Sequence, residues 1–319
     1  MDETAPTPPT DPLQAGPALP ERRSNRPVTV GHRIEYALAR LLLGASRMLG
    51  VDRASAIGGA LTRAIGPFFP ETRYADENLK EVFPDWDAAR RRRTILGVWE
   101  NLGRTAAEFA HLEEFNPGEI GGRLDVVGAE KVGAHAGKGP LIFVSGHFAN
   151  WEVMADVLDY AGLRFALVYR AANNPLVDEL IIKTRARSMS KLQTPKGGSG
   201  TRAIIDLMAD GCSVAMLVDQ KQNSGITVPF LGREAKTATT AARLALRFKA
   251  PIIPSSVERL GGARFRVTVH DPIIVEPSGD HAADIVNVTA RINESIGRAI
   301  LAHPEQWLWL HRRWPKKTA

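Results

Sequence analysis

One histidine of the chain stands where it could act chemically. The apolar run Leu141-Ile142-Phe143-Val144 reads as a buried strand and leads into Ser145-Gly146-His147-Phe148-Ala149-Asn150-Trp151-Glu152. In open parallel sheets reactive groups gather just past the carboxyl ends of strands, and His147 falls there. Eight histidines and 35 acidic residues in 319 make about one His-x4-acid spacing expected by chance, so spacing alone decides nothing. The place at a strand end carries the weight. Positions five apart on a regular helix point about 140° apart, so the pair meets only if His147 lies in the turn and Glu152 in the first turns of the next helix. In that arrangement the carboxylate fixes the imidazole tautomer and stabilises the imidazolium formed when His147 takes a proton from an alcohol. No serine stands in a Gly-x-Ser-x-Gly elbow, so the activated hydroxyl belongs to a substrate. A histidine that only caps a helix is the structural alternative.

The elements that must position this residue are legible as an alternation. Residues 165–168, 214–218 and 252–257 are short apolar runs, while 154–160, 176–187, 201–208 and 239–248 have helical character. Such alternation predicts an α/β fold with a mostly parallel central sheet flanked by helices. Residues 264–270 alternate polar and apolar, as an edge or antiparallel strand does. Asp219 ends a strand at the same sheet edge as His147, where it either accepts bonds from loop N–H groups or meets substrate.

Before the sheet, Ile34, Leu38, Leu41, Leu42, Ala45 and Leu49 recur at helical spacing, with Arg33, Arg40 and Arg47 on the opposite stripe. A second weakly polar segment, 54–65, ends at Gly66-Pro67 and is followed by Phe68 and Phe69. The functional reading is a pair of helices lying in a membrane interface, arginines at the headgroups and leucines below. The alternative is packing on the chain's own domain. Arginines interrupt every apolar stretch here before it reaches the ~20 residues a bilayer span requires. Residues 1–30 hold seven of the 21 prolines and no aromatic residue, and read as a disordered tail rather than a secretory signal. The expected plan is therefore a tail (1–30), membrane-associating helices (31–72) and an α/β domain (73–319).

Near the C-terminus Trp307, Trp309 and Trp314 are interleaved with His311, Arg312, Arg313, Lys316 and Lys317, as in a strand with one aromatic face. That composition suits a membrane interface, base stacking or core packing. Residues 223–236 read as a glycine-punctuated, substrate-facing lid or as a plain connection. Gly198-Ser199-Gly200-Thr201-Arg202-Ala203 fits a dinucleotide fingerprint followed by Asp219, but Pro195 falls where the preceding central strand should run.

The octapeptide around His147 resembles the His-x4-acid motif of the late acyltransferases of lipid A biosynthesis, the lauroyl/myristoyl branch of the lysophospholipid acyltransferase superfamily. Further blocks resemble that family in the same order. They include Val168-Tyr169-Arg170 with Asn174-Pro175-Leu176, Arg185-Ala186-Arg187, Asp219-Gln220, Val228-Pro229-Phe230-Leu231-Gly232, and Pro304-Glu305-Gln306-Trp307 through Trp314. The resemblance spans roughly residues 32 to 316. It implies O-acyl transfer from an acyl carrier protein thioester to a hydroxyl of a lipid A precursor, on the cytoplasmic side of the cell inner membrane. His147 would be the base and Glu152 its orienting partner, with Arg170, Asn174, Arg185, Arg187, Asp219 and Gln220 binding substrate. Arg170 would either stabilise the tetrahedral oxyanion or, with Arg185 and Arg187, bind phosphate. No metal and no organic cofactor are implied.

Composition narrows the alternatives. The average hydrophobic and charged content (44% and 24%) excludes disorder of the whole chain. One cysteine, Cys212, excludes a disulfide-stapled scaffold. The net charge of +6 is spread without a nucleic-acid-binding motif, and no His or Cys pair has metal-ligand spacing. Acylation of a lysophospholipid or another glycolipid, and a non-catalytic membrane-surface or nucleic-acid-binding protein, remain as alternatives.

Overall fold

A computed structural model describes residues 27–117, 121–135 and 137–315. The tail expected over residues 1–30 lies outside the described residues up to position 26, as do Lys316 and Lys317. Four helices come first: α1 (Val30–Leu49), α2 (Val51–Ile65), α3 (Glu71–Val82) and α4 (Ala88–Glu108). Then follow β1 (Leu124–Val127), α5 (Glu130–Gly133), β2 (Ile142–Ser145), α6 (Val153–Tyr160), β3 (Phe165–Tyr169) and α7 (Pro175–Arg185). The chain continues through β4 (Gln193–Pro195), α8 (Gly198–Ala209), β5 (Ser213–Leu217), β6 (Ile226–Phe230), β7 (Arg233–Thr237) and α9 (Thr240–Phe248). It closes with β8 (Ile252–Gly261), β9 (Arg264–Val269) and α10 (His281–Ala302).

Seven strands form one sheet in the order β1-β9-β8-β2-β5-β3-β4, parallel throughout except between β8 and β9. The central strands β2 and β5 are buried along almost their whole length, as a parallel sheet covered on both faces demands. Strand β9 is antiparallel to β8, but it is not an edge: β1 covers its outer side. A strand does precede the glycine-rich segment 198–203, but it is not the apolar central strand that a dinucleotide fingerprint requires. β4 is a three-residue edge strand that ends on Pro195, a position where a missing N–H is tolerated.

Among the described residues nothing covers the leucine stripe of α1. Ile34, Leu38, Leu41 and Leu42 are between 54% and 68% exposed, and Met48 and Phe68 reach 90% and 88%. Helix α1 is held instead through polar groups: Ser46 Oγ donates to Ala107 O at 2.7 Å and Arg47 Nε to Ala110 O at 2.9 Å. Helices α2 and α4 cross where only glycine fits. A Cβ on Gly103 would stand 2.2 Å from Gly58 O and 1.9 Å from Thr62 Oγ1. From the end of α4 the fully buried Glu108 accepts from Ser55 Oγ at 2.7 Å, from Asn150 Nδ2 at 3.0 Å and from the Arg259 guanidinium. The helical layer is thereby tied to the loop after β2.

Two sets of alternatives left open by the sequence are decided. Residues 226–237 are no lid but the β6–β7 hairpin, lodged on α10 by Asn293 Nδ2, which donates to Pro229 O at 2.9 Å. The C-terminal tryptophans face neither lipid nor solvent. Trp307 and Trp309 are fully buried and Trp314 nearly so, and the segment makes one isolated bridge, Phe148 with Trp307, rather than a regular strand.

One core group is poorly matched. Asp156 of α6 is buried, and neither carboxyl oxygen closes a hydrogen bond of normal geometry. Desolvation, reinforced by Glu152, lifts its pKa well above the carboxylate range. The unfolded chain ionises this group above about pH 4 while the folded chain resists, so its contribution to stability declines as pH rises. Asp156→Asn is expected to raise stability at pH 7–8 by on the order of 1–2 kcal/mol and to leave it unchanged at pH 4. Thermal denaturation at the two pH values checks this, and a destabilised variant at pH 8 contradicts it.

Candidate active site

Four adjacent strands deliver their carboxyl ends to one cavity. In the order β2-β5-β3-β4, the residues just past those ends are His147, Asp219 with Gln220, Arg170 and Lys196. The cavity measures about 330 Å³ and is lined by His147, Gln220, Arg170 and Lys196 on its polar side. Met154, Leu158, Leu167, Met189 and Met216 make its apolar side. This combination suits a molecule with a long apolar part and a polar reacting end.

His147 is held by Asp219. The backbone N–H of His147 donates to Asp219 Oδ2 at 2.8 Å, and its Nδ1 lies 2.8 Å from Oδ1. Trp307 Nε1 donates to the same Oδ2 at 2.7 Å. Burial would raise the pKa of this fully buried carboxyl, but the charge and bonds of His147, with His311 behind, outweigh it and hold the pKa far below the usual range. Asp219 is therefore an anion, which assigns the hydrogen to Nδ1 and leaves the Nε2 lone pair to accept a proton. Gln220 Nε2 stands 3.5 Å from that Nε2. Trp151 lies edge-on to the imidazole, with ring centroids 5.0 Å apart.

Glu152 does not meet the imidazole. Between the two, Ala149 takes a left-handed conformation (φ 41°), strained for a residue with a Cβ. It is fixed there by bonds to its carbonyl from Asn101 Nδ2 at 3.0 Å and Thr105 Oγ1 at 2.8 Å, and by its own N–H to Gln306 O at 2.8 Å. Past this turn the Glu152 carboxylate takes a fork from Arg185 at the end of α7: Nε to Oε2 at 2.8 Å and an Nη to Oε1 at 2.6 Å. Trp151 Nε1 adds a bond to Oε1 at 3.1 Å. Burial alone would lower the Arg185 pKa, yet the Glu152 charge and its hydrogen bonds raise it, so the guanidinium stays ionised.

The other expected residues divide. Arg170 and Gln220 line the cavity, and Arg185 lines it with its fork occupied by Glu152. Asn174 is a structural residue: its Oδ1 caps α7 by accepting from Leu176 N at 3.0 Å, and its Nδ2 donates to His32 O at 2.9 Å and Glu35 Oε2 at 2.8 Å. Arg187 is exposed and does not line the cavity. Sequence reasoning missed Lys196 and the role of Trp307. The strand-end position of Lys196 would have flagged it had β4 been recognised, whereas no local signal joins Trp307 to Asp219.

An imidazole held by a carboxylate on a partly apolar cavity is an arrangement suited to general-base chemistry on a lipid-like substrate, and comparison with known proteins makes the chain an acyltransferase. Residues 30–316 match the profile of the bacterial lipid A biosynthesis acyltransferases, and the chain belongs to that family. It is similar to the lipid A biosynthesis lauroyltransferase of Escherichia coli K12, 25% identical over 74% of this chain and 76% of the relative. It is also similar to the palmitoleoyltransferase of the same organism, 24% identical over 80% and 81%. A solved structure, the 1-acyl-sn-glycerophosphate acyltransferase PlsC of Thermotoga maritima, overlaps with a TM-score of 0.36 at 13% identity, covering 83% of this chain and 97% of that one.

Proposed function

We propose that this chain moves a fatty acyl group from an acyl carrier protein thioester to a hydroxyl of a lipid A precursor, working at the cytoplasmic face of the inner membrane. The observation that carries the reading is the His147–Asp219 pair, with Nε2 turned away from Asp219, on a cavity that is apolar on its far side. His147 Nε2 takes the hydroxyl proton as the oxygen attacks the thioester carbon. The tetrahedral oxyanion is met by Arg170, and as the carbon–sulfur bond breaks the imidazolium returns its proton to the departing thiolate. Asp219 keeps the imidazole in the productive tautomer. Glu152 acts by anchoring Arg185 in the cavity wall. No step calls for a metal or an organic cofactor.

Membrane attachment is supported by the outward leucine stripe of α1, continued by Ile57, Leu61 and Phe68. Exposed apolar residues of this kind, in helices that also carry Arg33 and Arg40, suit an anionic bilayer.

The test incubates the full chain with fatty acyl carrier protein and lipid A precursor, and reads the product by mass spectrometry. A mass gain of one acyl chain is expected. Faster transfer to a lysophospholipid would move the acceptor assignment, and no transfer to either would overturn the reading. In the same preparation, changing Leu38, Leu41 and Leu42 to Glu is expected to cut sedimentation with anionic vesicles by at least about tenfold.

A further inference from the structure

Three polar residues of α4 share one buried face. Asn101, Thr105 and Glu108 are spaced i, i+4 and i+7, which places them on a single stripe of the helix, and all three are buried. A buried stripe is ordinarily apolar, because every polar group put there has to be matched by hydrogen bonds. The partners of this stripe are concentrated on two residues of the histidine turn. Asn101 Nδ2 and Thr105 Oγ1 both donate to the Ala149 carbonyl, at 3.0 and 2.8 Å, and Glu108 accepts from Asn150 Nδ2 at 3.0 Å. Arg259 of β8 fixes the stripe from behind. Its Nε donates to Asn101 Oδ1 at 2.9 Å, which orients that amide with its NH₂ toward Ala149, and the rest of the guanidinium bonds to Thr105 Oγ1 at 3.4 Å and to the Glu108 carboxylate. The backbone of Arg259 also holds the Gln306 side chain, at 2.7 and 3.2 Å, and Gln306 O receives the Ala149 N–H.

The turn held in this way is one that alanine does not choose for itself. At φ 41° a Cβ crowds the backbone, whereas glycine takes the same conformation freely. Ala149 stands between His147 and Glu152, so relaxation of its backbone to negative φ would swing the imidazole relative to Asp219. None of Asn101, Thr105 and Glu108 lines the cavity onto which His147 opens, so any influence they have on the reaction passes through the turn. We propose that Asn101 and Thr105 are positioning residues for the reaction: their two bonds to the Ala149 carbonyl hold the left-handed turn that aims His147 at Asp219. The inference rests on the acyl-transfer reading and adds to it the residues that set the aim of the base. A base displaced by a fraction of an ångström loses rate while substrate binding is little affected, because the cavity walls are untouched.

Steady-state kinetics of the full chain compare Thr105→Val, Thr105→Ser and Asn101→Ala, each combined with Ala149 or with Ala149→Gly. Thr105→Val keeps the shape of threonine without the hydroxyl, and is expected to lower kcat about tenfold with KM nearly unchanged. Thr105→Ser, which restores the donor, should recover most of that loss. Asn101→Ala removes the other donor and should act in the same direction, so the result does not hang on the folding of one variant. Glycine needs no restraint at this φ, and in the Ala149→Gly background the loss caused by Thr105→Val should shrink to about threefold or less. A loss equally large in both backgrounds overturns the proposal, since a residue that only fills the core would not be spared by glycine at position 149. A rise in KM at constant kcat overturns it as well. Proton NMR gives a readout without turnover: the downfield resonance of His147 Nδ1–H, assigned by its absence from Asp219→Asn, should shift or weaken in Thr105→Val and return when Ala149→Gly is added. A resonance unmoved in Thr105→Val counts against the proposal. Failure of wild-type turnover indicts the acyl-transfer reading, whereas turnover without coupling between positions 105 and 149 indicts the positioning alone.

Discussion

Asp219→Asn is expected to lower kcat by about 10³- to 10⁴-fold while leaving the fold intact. The reason is the distribution of donors around the carboxylate. Oδ2 accepts from two N–H groups, those of His147 and Trp307, whereas Oδ1 faces the imidazole alone. An asparagine must turn its single oxygen toward the two fixed donors, which presents its NH₂ to His147 Nδ1. The imidazole then has to accept at Nδ1 and carry its hydrogen on Nε2, the wrong tautomer for a base. KM should change little, because Asp219 is fully buried and does not line the cavity. Circular dichroism and the unfolding temperature establish that the variant is folded. Retention of more than about a tenth of wild-type kcat would remove Asp219 from the mechanism.

The companion substitution fails in a different way. Glu152→Ala leaves the Arg185 guanidinium, 17% exposed, without its counter-ion, and such breakage of a buried pair costs about 3–5 kcal/mol. Chemical denaturation should therefore report a large loss of stability, with turnover falling because the cavity wall is disordered. Replacing Glu152 and Arg185 together by Leu removes both charges and should destabilise by less than the sum of the single changes. If Glu152→Ala keeps its stability within about 0.5 kcal/mol and loses only turnover, its carboxylate serves the chemistry directly.

What could be read in advance follows from what is local. The apolar runs around 141–144, 165–168, 214–218 and 252–257 carry their own pattern, and all four are strands of the sheet. His147 past the end of β2 was legible for the same reason. Its carboxylate was not. His147 and Asp219 lie 72 residues apart and meet only because β2 and β5 pair, whereas the nearer Glu152 is turned away by Ala149, whose left-handed backbone no residue type announces. Spacing gave α1 its two faces but not which of them would look outward; that depends on Ser46 and Arg47 finding carbonyls at the end of α4 and just beyond it. Lys196 and Arg170 become neighbours through register alone. The C-terminal tryptophans were the least legible, since indole beside arginine describes an interface and a polar-lined core equally well.

The wall behind His147 is supplied by the stretch beyond Ala302. Leu308 N donates to His147 O at 3.2 Å, Phe148 bridges to Trp307, and Gln306 O receives Ala149 N. A gene copy interrupted after the codon for Ala302 would still encode every residue from Ser145 to Glu152, yet its product would lack the indole and backbone groups that brace Asp219 and the histidine turn. Such a copy would pass any survey that looks for the histidine motif while lacking this bracing, so intactness of the codons beyond Ala302 is the better sign of a working gene.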